Sequence, residues 1–121
     1  MKANWFEIPV TDMDRAVKFY SSIFNISMGE QTKMGGSVMC FFPNDAETQG
    51  ATGTLIQHEA YTPSYQGSLV YLSVKEIDEV IPRIAPAGGK IINNKMSIGE
   101  HGFVGHFEDS EGNRVALHQT T

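Results

Sequence analysis

Residues 5–20 read WFEIPVTDMDRAVKFY, and residues 69–84 read LVYLSVKEIDEVIPRI. Laid over one another at an offset of 64 residues, Trp5 falls on Leu69, Val10 on Val74, Asp14 on Asp78 and Val17 on Ile81. Identity is low, but the pattern repeats: a short alternating strand, an acidic turn, then a helix-period stretch. In the first copy, Thr11 followed three residues later by Asp14 has the form of a capping box. Met13, Ala16, Val17, Tyr20, Ile23 and Phe24 then make an apolar stripe at helical spacing, and Asn25 is a stop signal. In the second copy Ile77, Val80, Ile81 and Ile84 form a shorter stripe. Pro82 lies inside it and predicts a kinked or shortened helix, ended by AGGK at 87–90.

Three strand-like segments follow each helix. In the first half they run over Ile26–Met34, Ser37–Pro43 and Thr52–His58, and in the second over Lys90–Asn94, Gly102–Glu108 and Arg114–Gln119. PNDAETQGA reads as a surface loop and EAYTPSYQG as a connector. The organisation is therefore βαβββ twice within a single α+β domain, 1–121. The modules span about 1–60 and 67–121, joined by a connector at about 59–67. Such a module carries its helix on one face of its sheet, so the opposite face must be covered or must enclose something.

Composition narrows the function classes. The chain has 121 residues, 40% hydrophobic and 19% charged, with a net charge of −5. Its nine Lys and Arg residues are scattered, which argues against nucleic acid or an anionic membrane as partner. Cys40 is the single cysteine and sits in the apolar run SVMCFF, which predicts a buried, inert thiol. MKANWFEIPV reaches strand-like sequence at once, without an apolar leader region. No stretch approaches the roughly 20 apolar residues that span a bilayer. A soluble cytoplasmic protein is the expectation. No Gly-rich phosphate loop follows a strand.

Strand alternation assigns side chains to faces. Phe6, Ile8 and Val10 should pack under the first helix, leaving Trp5, Glu7 and Pro9 on the other side. Val70, Leu72 and Val74 leave Leu69, Tyr71 and Ser73; Phe103, Gly105 and Phe107 leave Val104, His106 and Glu108. The last strand contributes Arg114, Ala116 and His118. This face mixes aromatic and polar side chains, as a small-molecule pocket does.

With these residues in place, IPVTDMDRAVKFYSSIF (8–24), GSLVYLSV (67–74) and FEDSEGNRVALH (107–118) together resemble the vicinal-oxygen-chelate superfamily. That group includes glyoxalase I, bleomycin-resistance proteins, fosfomycin-resistance transferases and extradiol dioxygenases. The resemblance implies two sheets curled into a cupped, partial β-barrel with helices on the outer face, often shared across a homodimer. Substrate sits on the concave face, and in the enzymes a divalent metal sits there too. The family's metal ligands lie on the first and last strands of each module. They map here to Trp5, Leu69, Ala116 and either Thr54 or Leu55. None of these supplies an imidazole or carboxylate, so neither a divalent metal nor another cofactor is expected. Trp5 and Leu69 would instead floor an apolar pocket.

Two residues are candidates for catalysis. Glu7, beside the Trp5 indole, should have a raised pKa suited to a general base; its structural alternative is an ion pair with Arg114. His106 would transfer protons with Glu7 or hydrogen-bond a ligand, and the matching position in fosfomycin-resistance relatives carries a substrate-contacting Tyr. Arg114 has the planar fork to clamp an anion, although local pairing with Asp109 or Glu111 is the favoured reading. His118 is expected to hydrogen-bond to backbone, and Glu100 with His101 to rim the pocket. An alternative metal site from Glu7, His106, Glu100 and His101 is not required by their spacing.

The resulting expectation is a homodimeric, metal-independent binder of a small, partly apolar molecule, similar in mode to the bleomycin-resistance branch. Ligand would stack on Trp5 and Tyr71, with Leu69, Arg114, Ala116, His118 and Glu100 also lining the site. One alternative is a lyase or isomerase in which Glu7 abstracts a proton next to a carbonyl and His106 or Arg114 stabilises the oxyanion. Another is a protein-interaction module with a closed cup.

Overall fold

Each helix begins where a glutamine from the end of its own module reaches back to it. The computed structural model describes residues 1–121. The first module runs β1 (Glu7–Pro9), α1 (Met13–Phe24), β2 (Thr32–Met34), β3 (Ser37–Phe41) and β4 (Thr54–Gln57). The second runs β5 (Tyr71–Ser73), α2 (Ile77–Ala87), β6 (Lys90–Ser97), β7 (Phe103–Glu108) and β8 (Arg114–Gln119), with a 3₁₀ turn at Gly99–His101. Gln57 Oε1 accepts from Met13 N–H at 3.0 Å, and Gln119 Oε1 accepts from Ile77 N–H at 2.7 Å. The first N–H of each helix is thus satisfied from the last strand of the same module. Replacing either glutamine by alanine should cost about 1 kcal/mol, and the double change should be additive to within about 0.5 kcal/mol. Urea unfolding checks this, and a neutral single change would show that the side chain does not cap.

The sheets repeat the duplication. Their orders are β1-β4-β3-β2 and β5-β8-β7-β6, with the first and last strand of each module parallel and the remaining pairs antiparallel. Glu7 lies opposite Thr54 as Tyr71 lies opposite Ala116. This register makes Thr54, and not Leu55, the counterpart of Ala116. The α+β architecture of two βαβββ modules is as the sequence implies, and the two sheets stay separate instead of closing into a barrel.

Several boundaries differ from expectation. Strand β2 is only Thr32–Met34. Upstream, Ile26 and Met28 pack against the core, and Gly29 N–H reaches Phe41 C=O at 3.0 Å, so apolar character there reflects burial without a ladder. Strand β6 continues to Ser97 because register shifts near Asn93 absorb its irregularity. Helix α2 holds both Pro82 and Pro86, yet at 11 residues it is nearly as long as α1 at 12. Asp12, rather than Thr11, caps α1 by accepting from Arg15 N–H at 3.1 Å. Asn25 ends that helix in the left-handed conformation (φ 52°), as its position suggested.

One core cluster of 16 buried residues draws on both modules, including Ile8, Val10, Phe19, Tyr20 and Leu55 from the first and Ile77, Ile84, Phe107, Val115 and Leu117 from the second. Helices α1 and α2 pack on one another, and Phe19 meets Phe107 with ring centroids 6.0 Å apart. The turn DSEGN between β7 and β8 fastens the modules. Asp109 Oδ2 accepts from Tyr20 Oη–H at 2.6 Å. Asn113 Nδ2 donates to Pro9 C=O at 2.7 Å. Glu111 reaches the start of α1, where its Oε1 accepts from the N–H groups of Thr11 and Asp12, both at 2.9 Å, and its Oε2 meets Arg15 Nε at 2.7 Å.

Candidate functional site on the face opposite the helices

The alternation that buries Ile8, Leu55, Leu72 and Leu117 under the helices turns Glu7, Phe41, Tyr71, Ser73, His106, Arg114, Ala116 and His118 to the other face. Trp5, just ahead of β1, is 40% exposed and tilts against Phe41, whose ring centroid is 5.4 Å away. Phe41 was not among the sequence candidates, although the alternation Ser37, Met39, Phe41 in β3 carries that signal. Leu69 is half-buried ahead of β5.

A hydrogen-bonded chain crosses this face. Arg114 Nε–H donates to His106 Nδ1 at 3.0 Å, and His106 Nε2 lies 3.5 Å from Tyr71 Oη. The Tyr71 and His106 rings meet edge-on, with centroids 5.8 Å apart. With Nδ1 accepting from a guanidinium, the imidazole proton resides on Nε2 and faces Tyr71. Burial first, and the Arg114 charge second, push the His106 pKa below its ordinary 6.5. The neutral ring leaves the Tyr71 hydroxyl proton free for an incoming acceptor.

These contacts correct the expected partners. Arg114 pairs with neither Asp109 nor Glu111, because those side chains turn toward Tyr20 and α1. Nor does it pair with Glu7, which is exposed, so the burial against an indole that the sequence suggested is absent. Glu7 and Arg114 only share the lining of a crevice of about 110 Å³. His118 Nε2 donates to His101 C=O at 2.7 Å. Glu100 is exposed on the 3₁₀ turn, 3.9 Å from His101 Nε2. Tyr65, from the connector, donates to Glu108 and was not anticipated; its partner lies 43 residues away.

The four positions that would carry metal ligands in the enzymes hold Trp5, Thr54, Leu69 and Ala116. Thr54 is fully buried, and its hydroxyl donates to the Cys40 carbonyl at 2.9 Å. No three His, Cys, Asp or Glu side chains converge where they could hold a metal ion. This donor set does not fit a divalent ion of the usual kind. A cavity of about 560 Å³ lies at the seam between the modules.

Duplicated βαβββ modules, with helices on one side and a mixed aromatic and polar face on the other, define the class of paired-module α+β proteins. Within it, the chain belongs to the Glyoxalase/Bleomycin resistance protein/Dioxygenase superfamily, whose family model matches residues 2–117. It is 27% identical over 119 residues to the "Putative glyoxylase CFP32" of Mycobacterium tuberculosis (strain CDC 1551 / Oshkosh), covering 96% of this chain but only 44% of that protein. It therefore spans less than half the length of that relative. The crystal structure of a glyoxylase/bleomycin resistance protein/dioxygenase domain from Frankia sp. EAN1pec superposes with a TM-score of 0.76 at 15% identity, covering 100% of this chain and 98% of that one. TnmS3, an antibiotic binding protein from Streptomyces sp. CB03234, superposes with a TM-score of 0.71 at 16% identity, covering 100% and 97%. At these identities the structural matches establish the fold. No helix is long and apolar enough to cross a membrane.

Proposed function

We propose that this chain is a metal-independent binder of a small, planar, partly apolar molecule. The ligand is held on the face opposite the helices, and a second copy of the chain completes the cup. The Arg114–His106–Tyr71 chain carries the reading. It presents one oriented hydroxyl donor beside exposed aromatic surface, on a face whose metal-ligand positions are filled by Trp5, Thr54, Leu69 and Ala116. The ligand stacks on Trp5, Phe41 and Tyr71, and a carbonyl-type acceptor on it takes the Tyr71 hydroxyl proton. The antibiotic-binding relative of the same fold supports sequestration as a mode of action. The exposure of Trp5, Phe41 and Tyr71 supports an open face and a missing partner more than a closed interaction module. The proton-abstracting alternative is less well supported, because Glu7 is exposed and is a hydrogen-bond partner of neither His106 nor Arg114. We place the protein's work in the cytoplasm.

Trp5 is the only tryptophan, so its emission reports the site. Titration with planar aromatic carbonyl compounds, coumarins and quinones, should quench it saturably, with no product formed and no stoichiometric transition metal in the purified protein. Tyr71→Phe should weaken binding about fivefold to tenfold, as loss of one hydrogen bond does. Because the His106 pKa is lowered, the ring stays neutral above 6.5 and binding should be constant from there to pH 8. Bound zinc, nickel or manganese that disappears in Glu7→Gln or His106→Ala would overturn the proposal, as would turnover of any ligand.

A further inference from the structure

The cavity of about 560 Å³ at the module seam is a second feature. Its lining includes Phe6, Phe24 and Phe42 from the first module and Leu72, Val74 and Val80 from the second. All six belong to the core cluster or pack against it, so this wall lies on the helix side of the sheets, while Tyr71, which also lines the cavity, joins it to the Tyr71–His106 site. Its volume falls within the range of small-molecule sites. The Phe6 ring is seated over the backbone of Gly53, where a Cβ would come within 2.0 Å of it.

One wall is the edge of β5, since four consecutive residues, Tyr71 to Val74, line the cavity although their side chains alternate between faces. Toward β8, the Val70 carbonyl accepts from Ala116 N–H and Val74 N–H donates to the His118 carbonyl, both at 2.9 Å. Even-numbered residues of β5 therefore spend their backbone groups on the ladder. The N–H and C=O of Tyr71 and Ser73 point outward from the sheet edge. The equivalent edge in the first module is blocked at one position: at the offset of 64 residues the counterpart of Ser73 is Pro9, which has no N–H. The Pro9 carbonyl is already taken by Asn113. Of two duplicated edges, one is blocked at the Pro9 position and the other is left free beside a cavity whose lining joins the phenylalanines to the charged side chains of Asp45, Lys75, Glu76, Glu79 and Arg83. Loop residues Pro43, Asp45 and 48–52 line the same cavity. They make the space beside β5 a pocket, and not a flank along which a partner strand could run.

We propose that this seam pocket binds a planar, largely apolar small molecule with an adjacent hydrogen-bond donor and acceptor on one edge, such as a lactam or amide-bearing heteroaromatic ring. Its donor meets the Tyr71 carbonyl, its acceptor meets Ser73 N–H, and its face lies on the phenylalanine floor. The probe is 2-quinolone, compared with N-methyl-2-quinolone, which lacks the donor, each titrated into ¹⁵N-labelled protein. The Ser73 amide and the amides of Ala51 and Thr52 should shift saturably with 2-quinolone, and the N-methyl compound should bind about tenfold more weakly. Ser73→Pro, a change the matching edge already tolerates at Pro9, should weaken binding about tenfold, read at Thr52. Ala51→Phe, which fills the pocket from the loop and leaves β5 untouched, should do the same. Equal affinity for the two quinolones, shifts at the Trp5 indole without shifts at Ser73, or a concentration-dependent dimer that already protects the Ser73 amide would each overturn the proposal.

Discussion

Asp109→Ala should destabilise the fold by about 3–5 kcal/mol, a large share of the roughly 5–15 kcal/mol that holds a domain of this size together. The residue is 1% exposed and its carboxyl group accepts four hydrogen bonds. Oδ1 takes the N–H groups of Glu111 and Asn113, both at 2.9 Å, and shapes the turn that projects Glu111. Oδ2 takes the Tyr20 hydroxyl and Asn113 Nδ2, and so ties α1 to the other module. Burial, reinforced by the facing carboxyl group, pushes the Tyr20 phenol well above its ordinary range, so it remains a donor. Truncation to alanine leaves that hydroxyl without its acceptor in a fully buried site. It also releases the turn. Tyr20→Phe removes one bond and leaves Asp109 three, so its cost should be about 1–2 kcal/mol. The order Asp109→Ala, then Asp109→Asn, then Tyr20→Phe should appear in melting temperature, with the alanine variant falling by roughly 10 °C or more. An alanine variant within about 1 kcal/mol of the parent would show that the modules are held by apolar packing alone.

Much of the fold was legible because it is written locally. Of the stripe, Met13, Ala16, Tyr20 and Ile23 are buried as its spacing implies and Val17 and Phe24 are half-buried, and β8 spans Arg114–Gln119 as alternation marked it. Face assignment followed from the same period of two, so Glu7, Tyr71, His106, Arg114 and Ala116 do share one side of the sheets. Partner choice was not legible. The sequence offers Thr11 and Asp14 as a capping pair, but Glu111, 100 residues away, takes Thr11 and leaves the cap to Asp12. Arg114 stands next to an acidic turn whose carboxyl groups point elsewhere, and a histidine across the β7–β8 pair receives its Nε–H instead. A charge near in sequence is a poor guide to pairing when a tertiary contact can satisfy it better. The glutamine caps were similarly hidden, although the recurrence of Gln57 and Gln119 at the ends of matching strands offered the clue. The seam pocket depends on the contrast between Pro9 and Ser73, which becomes informative only when both strands are seen to be sheet edges.

Glu111→Gln tests the other half of the inter-module fastening, and its signature is in the pH dependence. Desolvation raises the pKa of this carboxyl group. The side-chain bond from Arg15, the backbone N–H groups of Asp12 and Thr11 and the Ser110 hydroxyl outweigh it and hold the pKa at about 2, against an ordinary 4.5. A pKa depressed in the folded state means that the unfolded chain takes up the proton first as the medium is acidified. The stabilisation from Glu111 is therefore complete above 4.5 and is lost as pH falls toward 2. At neutral pH the glutamine variant should be less stable by about 2 kcal/mol, because its amide N–H would face the Arg15 guanidinium and the charge at the start of α1 is gone. That estimate already allows for Arg15, whose side chain is 51% exposed and solvent-screened. Chemical unfolding at pH 7, 5, 4 and 3 should show the gap between parent and variant constant at the two higher values and shrinking below 4.5. A gap unchanged down to pH 3 would mean that Glu111 acts through shape and not through charge. The Asp109 and Glu111 effects should not add, because the Asp109 carboxyl group builds the turn that aims Glu111 at α1.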